Sequence, residues 1–357
     1  MSDLASRPAG EAGPVRPGED LDWDQLARYL HAEAGLTGKM SVLQFPNGSA
    51  NLTYLLRFPG QDVVFRRPPF GALAPGAHDM RREFRVLSRL WQAYDRAPRA
   101  LLFCDDHAVV GSDFLVTEFR VGEIIWSQLP ASMAGVPHAA WQVGCAMADA
   151  LADLHLVDYQ PIGLSELGRP HGFVRRQVEG WTARWQRVAT ADADGVMMAA
   201  AGELARQLPE PRRTSIVHND FKIDNCQFAA GDPARVTAVF DWDMATLGDP
   251  LIDLGTLMNY WPDPADRPDD RALSYAGLDK LGLPTRAEVA ARYAERSGLP
   301  VSGLRWYEAF AAWKTAIVRE QLHNRHLRGE TSDPRMALLH ENVEMLGRRA
   351  LRLLREG

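Results

Sequence analysis

The feature that most constrains the fold is residues 215–253, where two short apolar runs are each followed by acidic and amide side chains. The runs cover residues 215–217 and 236–240. His218, Asp220 and Asn225 follow the first run, and Asp241 and Asp243 follow the second. Short apolar runs with polar ends are typical of buried strands. The pattern therefore predicts two strands whose ends hold a cluster of acidic groups.

The residues of this cluster match what phosphoryl transfer from a nucleotide requires. That reaction needs a carboxylate to orient and deprotonate a hydroxyl group, oxygen ligands for Mg²⁺, and cations over the phosphates. The H-x-D-x-x-x-x-N spacing from His218 to Asn225 is that of kinase catalytic loops, where a metal-binding Asp follows on the next strand, here Asp241. The alternative is a pair of acidic strand ends without catalysis, which a D-x-x-x-x-N match alone would favour.

The composition is that of an ordinary globular protein, with 46% hydrophobic and 24% charged residues. A length of 357 residues allows two domains or one domain with two lobes. The net charge of −6 argues against nucleic acid as the main partner. Three cysteines without CxxC spacing make a zinc site or a disulfide framework unexpected, and they favour a reducing compartment.

The N-terminal residues 1–20 are rich in Pro, Gly and Asp and lack an apolar core segment, so we expect a disordered leader rather than a signal peptide. The chain also lacks the run of about 18 or more apolar residues that a transmembrane helix needs. These features predict a cytoplasmic protein without membrane contact.

Upstream of the acidic cluster the pattern predicts a helix over residues 22–34, a hairpin over residues 42–58 and a third strand over residues 63–67. The hairpin turn contains Asn47, Gly48, Ser49 and Asn51. Asn-Gly is a strong hairpin signal, but small residues also let backbone N–H groups approach a polyphosphate. Both interpretations stay open.

The third strand ends on two basic residues, Arg66 and Arg67. Alternation along a strand places Val64 and Arg66 on one face, so we expect Arg66 to reach a nucleotide phosphate. A helix predicted over residues 80–93 carries Glu83 near its start, which is the natural partner for Arg66. Solvated side chains at both positions are the alternative.

A strand over residues 112–119 then leads into a more polar segment, residues 120–127, which we interpret as a linker between two lobes. The linker backbone at Glu118 and Arg120 is predicted to hydrogen-bond adenine. Beyond it the pattern is mainly helical. His155 is predicted as a hydrogen-bonded core residue, and Lys314 lies on a long helix that either covers the acceptor site or packs in the core.

The motifs FRRPPFG, AHDMRREFRVL, VHNDFKIDN and FDWDMATLGDPLIDLG, in this order, resemble the aminoglycoside phosphotransferase and choline kinase-like superfamily of small-molecule kinases. They are most similar to the kinase-like domains found fused to acyl-CoA dehydrogenases. The resemblance covers roughly residues 25–350 and implies an α+β, bilobal protein-kinase-like fold. A small lobe with an antiparallel sheet and one helix is expected over residues 21–119, and a larger, mainly helical lobe over residues 128–357.

The resemblance also implies a role for each residue of the cluster. Asp220 is the catalytic base, Lys222 meets the γ-phosphate, and Asn225 and Asp241 hold Mg²⁺. His218 and Asp253 support the loop, and Asp243 is either an outer-shell metal residue or solvated. Asn219 stands where the family usually has Gly, and it keeps a tolerance of unusual φ. Arg66 stands where the family usually has Lys, and it keeps the positive charge.

The predicted function is therefore Mg²⁺-dependent transfer of phosphate from ATP, or GTP, to a hydroxyl group of a small molecule. A hydroxyacyl-CoA-type acceptor agrees with the basic residues of the C-terminal helices, among them Lys314 and Arg319. An aminoglycoside is the alternative acceptor, although its pocket would need many carboxylates. A non-catalytic nucleotide-binding protein on the same fold is the second class of function.

Overall fold

The computed structural model describes residues 11–46, 51–70, 79–210, 213–271, 277–330 and 334–356. The N-terminal half contains the helices α1 (Trp23–Glu33), α2 (Met80–Leu90) and α3 (His107–Val110). Its strands are β1 (Ser41–Gln44), β2 (Leu52–Phe58), β3 (Gln61–Arg67), β4 (Ala100–Cys104), β5 (Phe114–Glu118) and β6 (Glu123–Ile124). The predicted turn residues Asn47, Gly48 and Ser49 lie outside the described residues.

The first five strands form one antiparallel sheet in the order β1-β2-β3-β5-β4. Strand β3 alternates as the sequence predicted: Val63, Phe65 and Arg67 are buried, whereas Val64 and Arg66 share the opposite face. Arg67 packs over the Phe70 ring, 4.1 Å from its centroid. The two adjacent arginines are therefore directed to opposite sides of the sheet.

Part of the segment predicted as a disordered leader is ordered. Gly13 pairs with Gln44 at the edge of the sheet, and the Tyr54 hydroxyl donates to the carbonyl of Glu19 at 2.8 Å. Hydrogen bonds to a strand hold a chain segment whatever its composition, so residues 11–20 make contacts that their composition does not predict. Helix α1 follows with Asp22 as its N-cap, as the sequence predicted.

The C-terminal half is mainly helical. Its helices are α4 (Ala139–Leu156), α5 (Phe173–Trp185), α6 (Asp194–Arg206), α7 (Leu251–Tyr260), α8 (Pro268–Arg271), α9 (Arg286–Ser297), α10 (Leu304–Leu327) and α11 (Val343–Arg355). One large apolar core joins α4 to α7 and α9 to α11 and also takes in Val86 and Leu87 of α2. Residues 334–355, predicted as one helical segment, divide into a 3₁₀ helix, Pro334–Asn342, and α11.

Four short strands surround the segment that carries the acidic cluster: β7 (Ser215–Val217), β8 (Cys226–Ala229), β9 (Asp232–Val239) and β10 (Thr246–Gly248). The two strands predicted from the sequence do not pair with each other. Strand β7 pairs with β10, and β9 pairs with β8, which in turn pairs with β6. The ends of β7 and β9 instead meet through hydrogen bonds of the loops that follow them.

Cys104, Cys145 and Cys226 are free thiols. Across the described ranges, every helix falls short of the combined length and apolarity that a membrane crossing demands.

Candidate active site

The loop after β7 is held in place by Asp253, a fully buried carboxylate in the first turn of α7. Its oxygens accept the backbone N–H groups of His218 and Asn219, both at 2.6 Å. Charge-assisted bonds of this kind are roughly twice as strong as neutral ones. His155 Nε2 lies 3.2 Å from the same carboxylate, and its Nδ1 lies 2.7 Å from the Tyr293 hydroxyl. His155 is thus the hydrogen-bonded core histidine that the sequence predicted.

His218 connects the loop after β7 to the loop after β9. Its Nε2 lies 2.8 Å from the carbonyl oxygen of Phe240, which can only accept, so this nitrogen carries the proton. Its Nδ1 then accepts the N–H of Asp220 at 3.2 Å. The imidazole is fully buried and packs against the Trp242 ring, with 4.7 Å between the centroids. The two loops are therefore fixed relative to each other through one side chain.

Asp220 lies beside a cation and keeps part of its carboxylate accessible, with 26% of the side chain exposed. Lys222 Nζ is 3.1 Å from Asp220 Oδ2 and 3.8 Å from Asp224 Oδ2. Asn225 Nδ2 donates to the Asp220 carbonyl oxygen at 2.8 Å and lies 3.3 Å from Oδ2. The loop thus places Asp220, Lys222 and Asn225 together, as the motif predicted.

Asn225 and Asp241 each keep one oxygen that accepts no hydrogen bond within the described part of the chain. The Asp220 carbonyl can only accept a hydrogen bond, so it fixes the amide of Asn225 with Oδ1 on the other side. Asp241 Oδ1 accepts from Arg66 at 3.0 Å, which leaves Oδ2. Among the residues described, no three or more His, Cys, Asp or Glu side chains group as a metal site. A small set of hard oxygen donors fits Mg²⁺, which keeps several waters and binds substrate phosphates.

Arg66 joins α2 to the loop after β9. Its Nη1 lies 2.9 Å from Glu83 Oε1, and its Nη2 lies 3.0 Å from Asp241 Oδ1. Burial by itself would lower the pKa of Arg66, but the carboxylates of Glu83 and Asp241 outweigh it and raise that pKa. Burial raises the pKa of Glu83 to about 7, against the attraction of Arg66. The expected Arg66–Glu83 pair is present, and Arg66 is its permanently charged member.

The cluster as a whole has more acidic than basic groups. Burial raises the pKa of Asp243 to about 8, and the negative charges of Asp241 and Glu83 add to this effect. Burial by itself would also raise the pKa of Asp241, but the guanidinium of Arg66 outweighs burial and lowers that pKa. Asp243 therefore lies within the charged cluster and not in open solvent. A bound divalent cation would relieve this repulsion.

The linker places its backbone close to β8. The Glu118 and Arg120 side chains pair with each other at 2.6 Å. The Glu118 N–H donates to Arg99, and the Arg120 carbonyl accepts from Gln227 at 3.1 Å. The Glu118 N–H is therefore unavailable to adenine, the Arg120 carbonyl oxygen keeps its second lone pair, and the Arg120 N–H has no acceptor within the described ranges. Gly122 is required here, since a Cβ would lie 2.5 Å from the Phe228 carbonyl oxygen.

Asn51, which immediately precedes β2, is the described part of the predicted phosphate loop. The residue is 3% exposed, yet neither its Oδ1 nor its Nδ2 has a hydrogen-bond partner among the described residues. An unpaired buried amide costs about 1–3 kcal/mol, and such groups call for a functional explanation.

Two side chains without an assigned role contact the cluster. The Tyr260 ring lies under Lys222, with Nζ 5.5 Å from its centroid. Lys314 Nζ donates to the carbonyl oxygen of Asn219 at 2.6 Å. The sequence offered one signal, because Lys314 is a lone charge in the otherwise apolar run of residues 309–318. Its contact depends on how α10 packs, which periodicity does not reveal.

Comparison with known proteins identifies this arrangement. The model of the phosphotransferase enzyme family matches residues 41–292. Mouse acyl-CoA dehydrogenase family member 10 is 33% identical over 323 residues, which are 89% of this chain and 30% of that protein. Rat acyl-CoA dehydrogenase family member 11 is 30% identical over 349 residues, 96% of this chain and 44% of that protein. The chain thus spans less than half the length of these relatives.

Solved structures confirm the predicted fold class. A Ralstonia eutropha protein assigned as an aminoglycoside phosphotransferase is 30% identical, with a TM-score of 0.77 over 94% of this chain and 99% of that one. A thermostable mutant of aminoglycoside phosphotransferase APH(4)-Ia, in complex with ADP and hygromycin B, is 18% identical with a TM-score of 0.58, covering 92% of this chain and 98% of that one. This second likeness shows the fold alone. Both resemblances expected from the sequence, to the phosphotransferases and to the fused kinase-like domains, are confirmed.

Proposed function

Because this chain belongs to the phosphotransferase enzyme family, we propose that it transfers the γ-phosphoryl group of ATP, or of GTP, to a hydroxyl group of a small molecule. The observation that carries the proposal is the double contact of Arg66 with Glu83 and Asp241, at 2.9 Å and 3.0 Å. It brings a cation from the N-terminal sheet onto the loop that holds a candidate metal ligand. A nucleotide bound there would have positive charge beside its phosphates.

In this proposal Asp220 orients the acceptor hydroxyl group and accepts its proton. Lys222, 3.1 Å from Asp220 Oδ2, keeps the carboxylate beside a cation and contributes positive charge to the γ-phosphate. Asn225 and Asp241 hold Mg²⁺, which neutralises charge on the phosphates when it is bound. Catalysis then rests on positioning and electrostatic stabilisation, since a loose transition state asks for little covalent chemistry from the protein.

The nucleotide is assigned to the face of the sheet that carries Arg66. Asn51, whose buried amide has no partner within the part of the chain that the structure describes, supplies donor and acceptor groups just before β2. The Arg120 N–H is the linker group proposed for adenine. The predicted contacts of Asn47, Gly48 and Ser49 with phosphate lie outside the described residues and remain predictions.

For the acceptor we propose a hydroxyacyl-CoA-type compound, because the relatives named above are acyl-CoA dehydrogenase family members. Basic side chains lie near Tyr260: burial raises the pKa of its hydroxyl group, and the positive charges of Lys222 and Arg319 oppose that rise. Arg325 and Arg328, near the C-terminal end of α10, pair with Glu330, so the support comes from the part of α10 nearer its middle. A polycationic aminoglycoside would meet like charge here.

An assay of nucleotide consumption tests the proposal. Nucleotide turnover with Mg²⁺ is measured across hydroxyacyl-CoAs, other hydroxylated metabolites and aminoglycosides. We expect turnover with an anionic acceptor, and Asp220→Asn should reduce kcat by at least about 100-fold with an unchanged melting temperature. Asp224→Asn is the matched control, because Asp224 contacts the same lysine at 3.8 Å.

Wild-type activity in Asp220→Asn would show that the base is misassigned. Binding of ATP without turnover on any acceptor, and without slow hydrolysis, would favour the non-catalytic alternative.

A further inference from the structure

Lys314 lies in the middle of α10 with its amino group buried against the candidate catalytic loop. The residue is 7% exposed, and Nζ donates to the carbonyl oxygen of Asn219 at 2.6 Å. Its other neighbour is the Trp181 ring of α5, whose centroid is 5.5 Å from Nζ. The proposed chemistry uses Asp220 and Lys222 but leaves this third group without a role.

The carbonyl that Lys314 holds belongs to the peptide unit that leads into Asp220. On the other side of that unit, the Asp220 N–H donates to His218 Nδ1 at 3.2 Å. Asn219 itself has a left-handed backbone with φ of 67°, and its N–H is held by Asp253. Both polar groups of the Asn219–Asp220 peptide are therefore bonded, which fixes the direction in which the Asp220 side chain leaves the backbone.

A buried lysine is an unfavourable choice for packing. Burial lowers the pKa of Lys314, while Asp220 and Asp253 act in the opposite direction. Within the described ranges no carboxylate lies within ion-pair distance of Nζ, so its desolvation is offset by the Asn219 carbonyl and the Trp181 ring and not by an ion pair. Burying a charge without an opposite charge beside it costs free energy that an apolar side chain would not cost. A lysine retained at such a position is therefore better explained by the contact it makes than by the stability it adds.

We infer that Lys314 is a positioning residue of the phosphotransfer site, which orients Asp220 by holding the carbonyl oxygen of Asn219. The inference rests on the proposed function for its kinetic consequence, but the contact that it assigns exists independently of turnover. The helix α10 thereby becomes part of the catalytic apparatus without touching the reacting atoms.

The test compares Lys314→Met, which keeps the length of the side chain and removes its donors, with Lys280→Met, a matched change at an exposed lysine. We expect kcat of Lys314→Met to fall about 10- to 100-fold, a loss of the size that misplacement of a reacting group causes. The nucleotide KM and the melting temperature should each stay at or above the wild-type value. Methylammonium added to a Lys314→Ala variant should restore part of kcat. Lys280→Met should match the wild type.

A second readout, hydrogen exchange by mass spectrometry, does not depend on activity. Peptides covering residues 215–225 should exchange faster in Lys314→Met than in the wild type, and those of β2 should not change. If the wild-type protein shows no turnover, the proposed function is overturned. The hydrogen-exchange measurement would then decide the role of Lys314 by itself. Unchanged exchange, or a kcat loss that follows a lowered melting temperature and is not rescued by the amine, would overturn the inference.

Discussion

Arg66 Nη2 lies 3.0 Å from Asp241 Oδ1, across 175 residues of sequence, while Nη1 of the same guanidinium contacts Glu83. Two separate nitrogens of one planar group make these contacts, which a single ammonium cannot reproduce with the same geometry. The side chain is 12% exposed and that of Glu83 is 1% exposed. The contacts of Arg66 therefore join the sheet, α2 and the loop after β9 in a mostly buried environment of low dielectric constant.

The first prediction concerns this link. Arg66→Lys should keep one of the two contacts and raise the nucleotide KM about tenfold, a loss of about 1.4 kcal/mol. Arg66→Met leaves Glu83 buried without its partner, so the free energy of unfolding should fall by about 3 kcal/mol. Steady-state kinetics and urea denaturation measure the two effects. The double variant Arg66→Met/Glu83→Gln is the control and should recover part of the stability; unchanged KM and stability in both single variants would contradict the prediction.

The second prediction concerns pH. Asp243 has a folded pKa of about 8 because of burial and the nearby carboxylates, above its ordinary value of 3.8. Between these two values the folded state binds more protons than the unfolded state, so stability falls as pH rises. Glu83, with a pKa of about 7 in the folded state, makes stability fall more steeply with pH below about pH 7. Stability in EDTA should therefore decline between about pH 4 and pH 8.

Asp243→Asn removes one titrating group and should flatten this decline. Its melting temperature should exceed that of the wild type at pH 8, and the difference should shrink towards pH 4. Asp95→Asn is the control, because the Asp95 carboxylate is 91% exposed. Equal pH profiles for Asp243→Asn and the wild type would show that Asp243 does not titrate in this window.

The third prediction concerns Asn219, whose φ of 67° lies in the left-handed region. Asn219→Ala should lose about 1 kcal/mol or more to backbone strain, together with the bond from Nδ2 to the Met244 carbonyl at 2.8 Å. Asn219→Gly loses that bond but adopts the conformation freely. Urea midpoints and kcat should therefore rank wild type, Asn219→Gly and Asn219→Ala in descending order. Equal losses in the two variants would exclude strain as the cause.

The fourth prediction concerns Mg²⁺. Asn225→Ala removes a proposed ligand and the donor that fixes the Asp220 carbonyl at 2.8 Å, so half-maximal activity should need about tenfold more Mg²⁺, the equivalent of about 1.4 kcal/mol. Asn225→Asp restores an oxygen ligand and should need less Mg²⁺ than Asn225→Ala. A titration of activity against free Mg²⁺ measures both. An unchanged requirement in Asn225→Ala would remove Asn225 from the metal site.

Local patterns predicted much of the fold. Alternation along β3 separated Arg66 from Arg67, a capping residue marked the start of α1 at Asp22, and apolar runs marked β7 and the second half of β9. The same reasoning failed where non-local contacts override composition, as in the ordering of Gly13 against Gln44.

The sequence alone determined several of the N-terminal helices and strands, the kinase-type motif and which residues belong to it, because these depend on spacing within a few residues. Only the tertiary structure decided which atoms meet. The bonds from Lys314 to Asn219 and from Arg66 to Asp241 join residues 95 and 175 positions apart. Contacts of that kind follow from how α10 and β3 pack against the rest of the chain, and no local propensity encodes them.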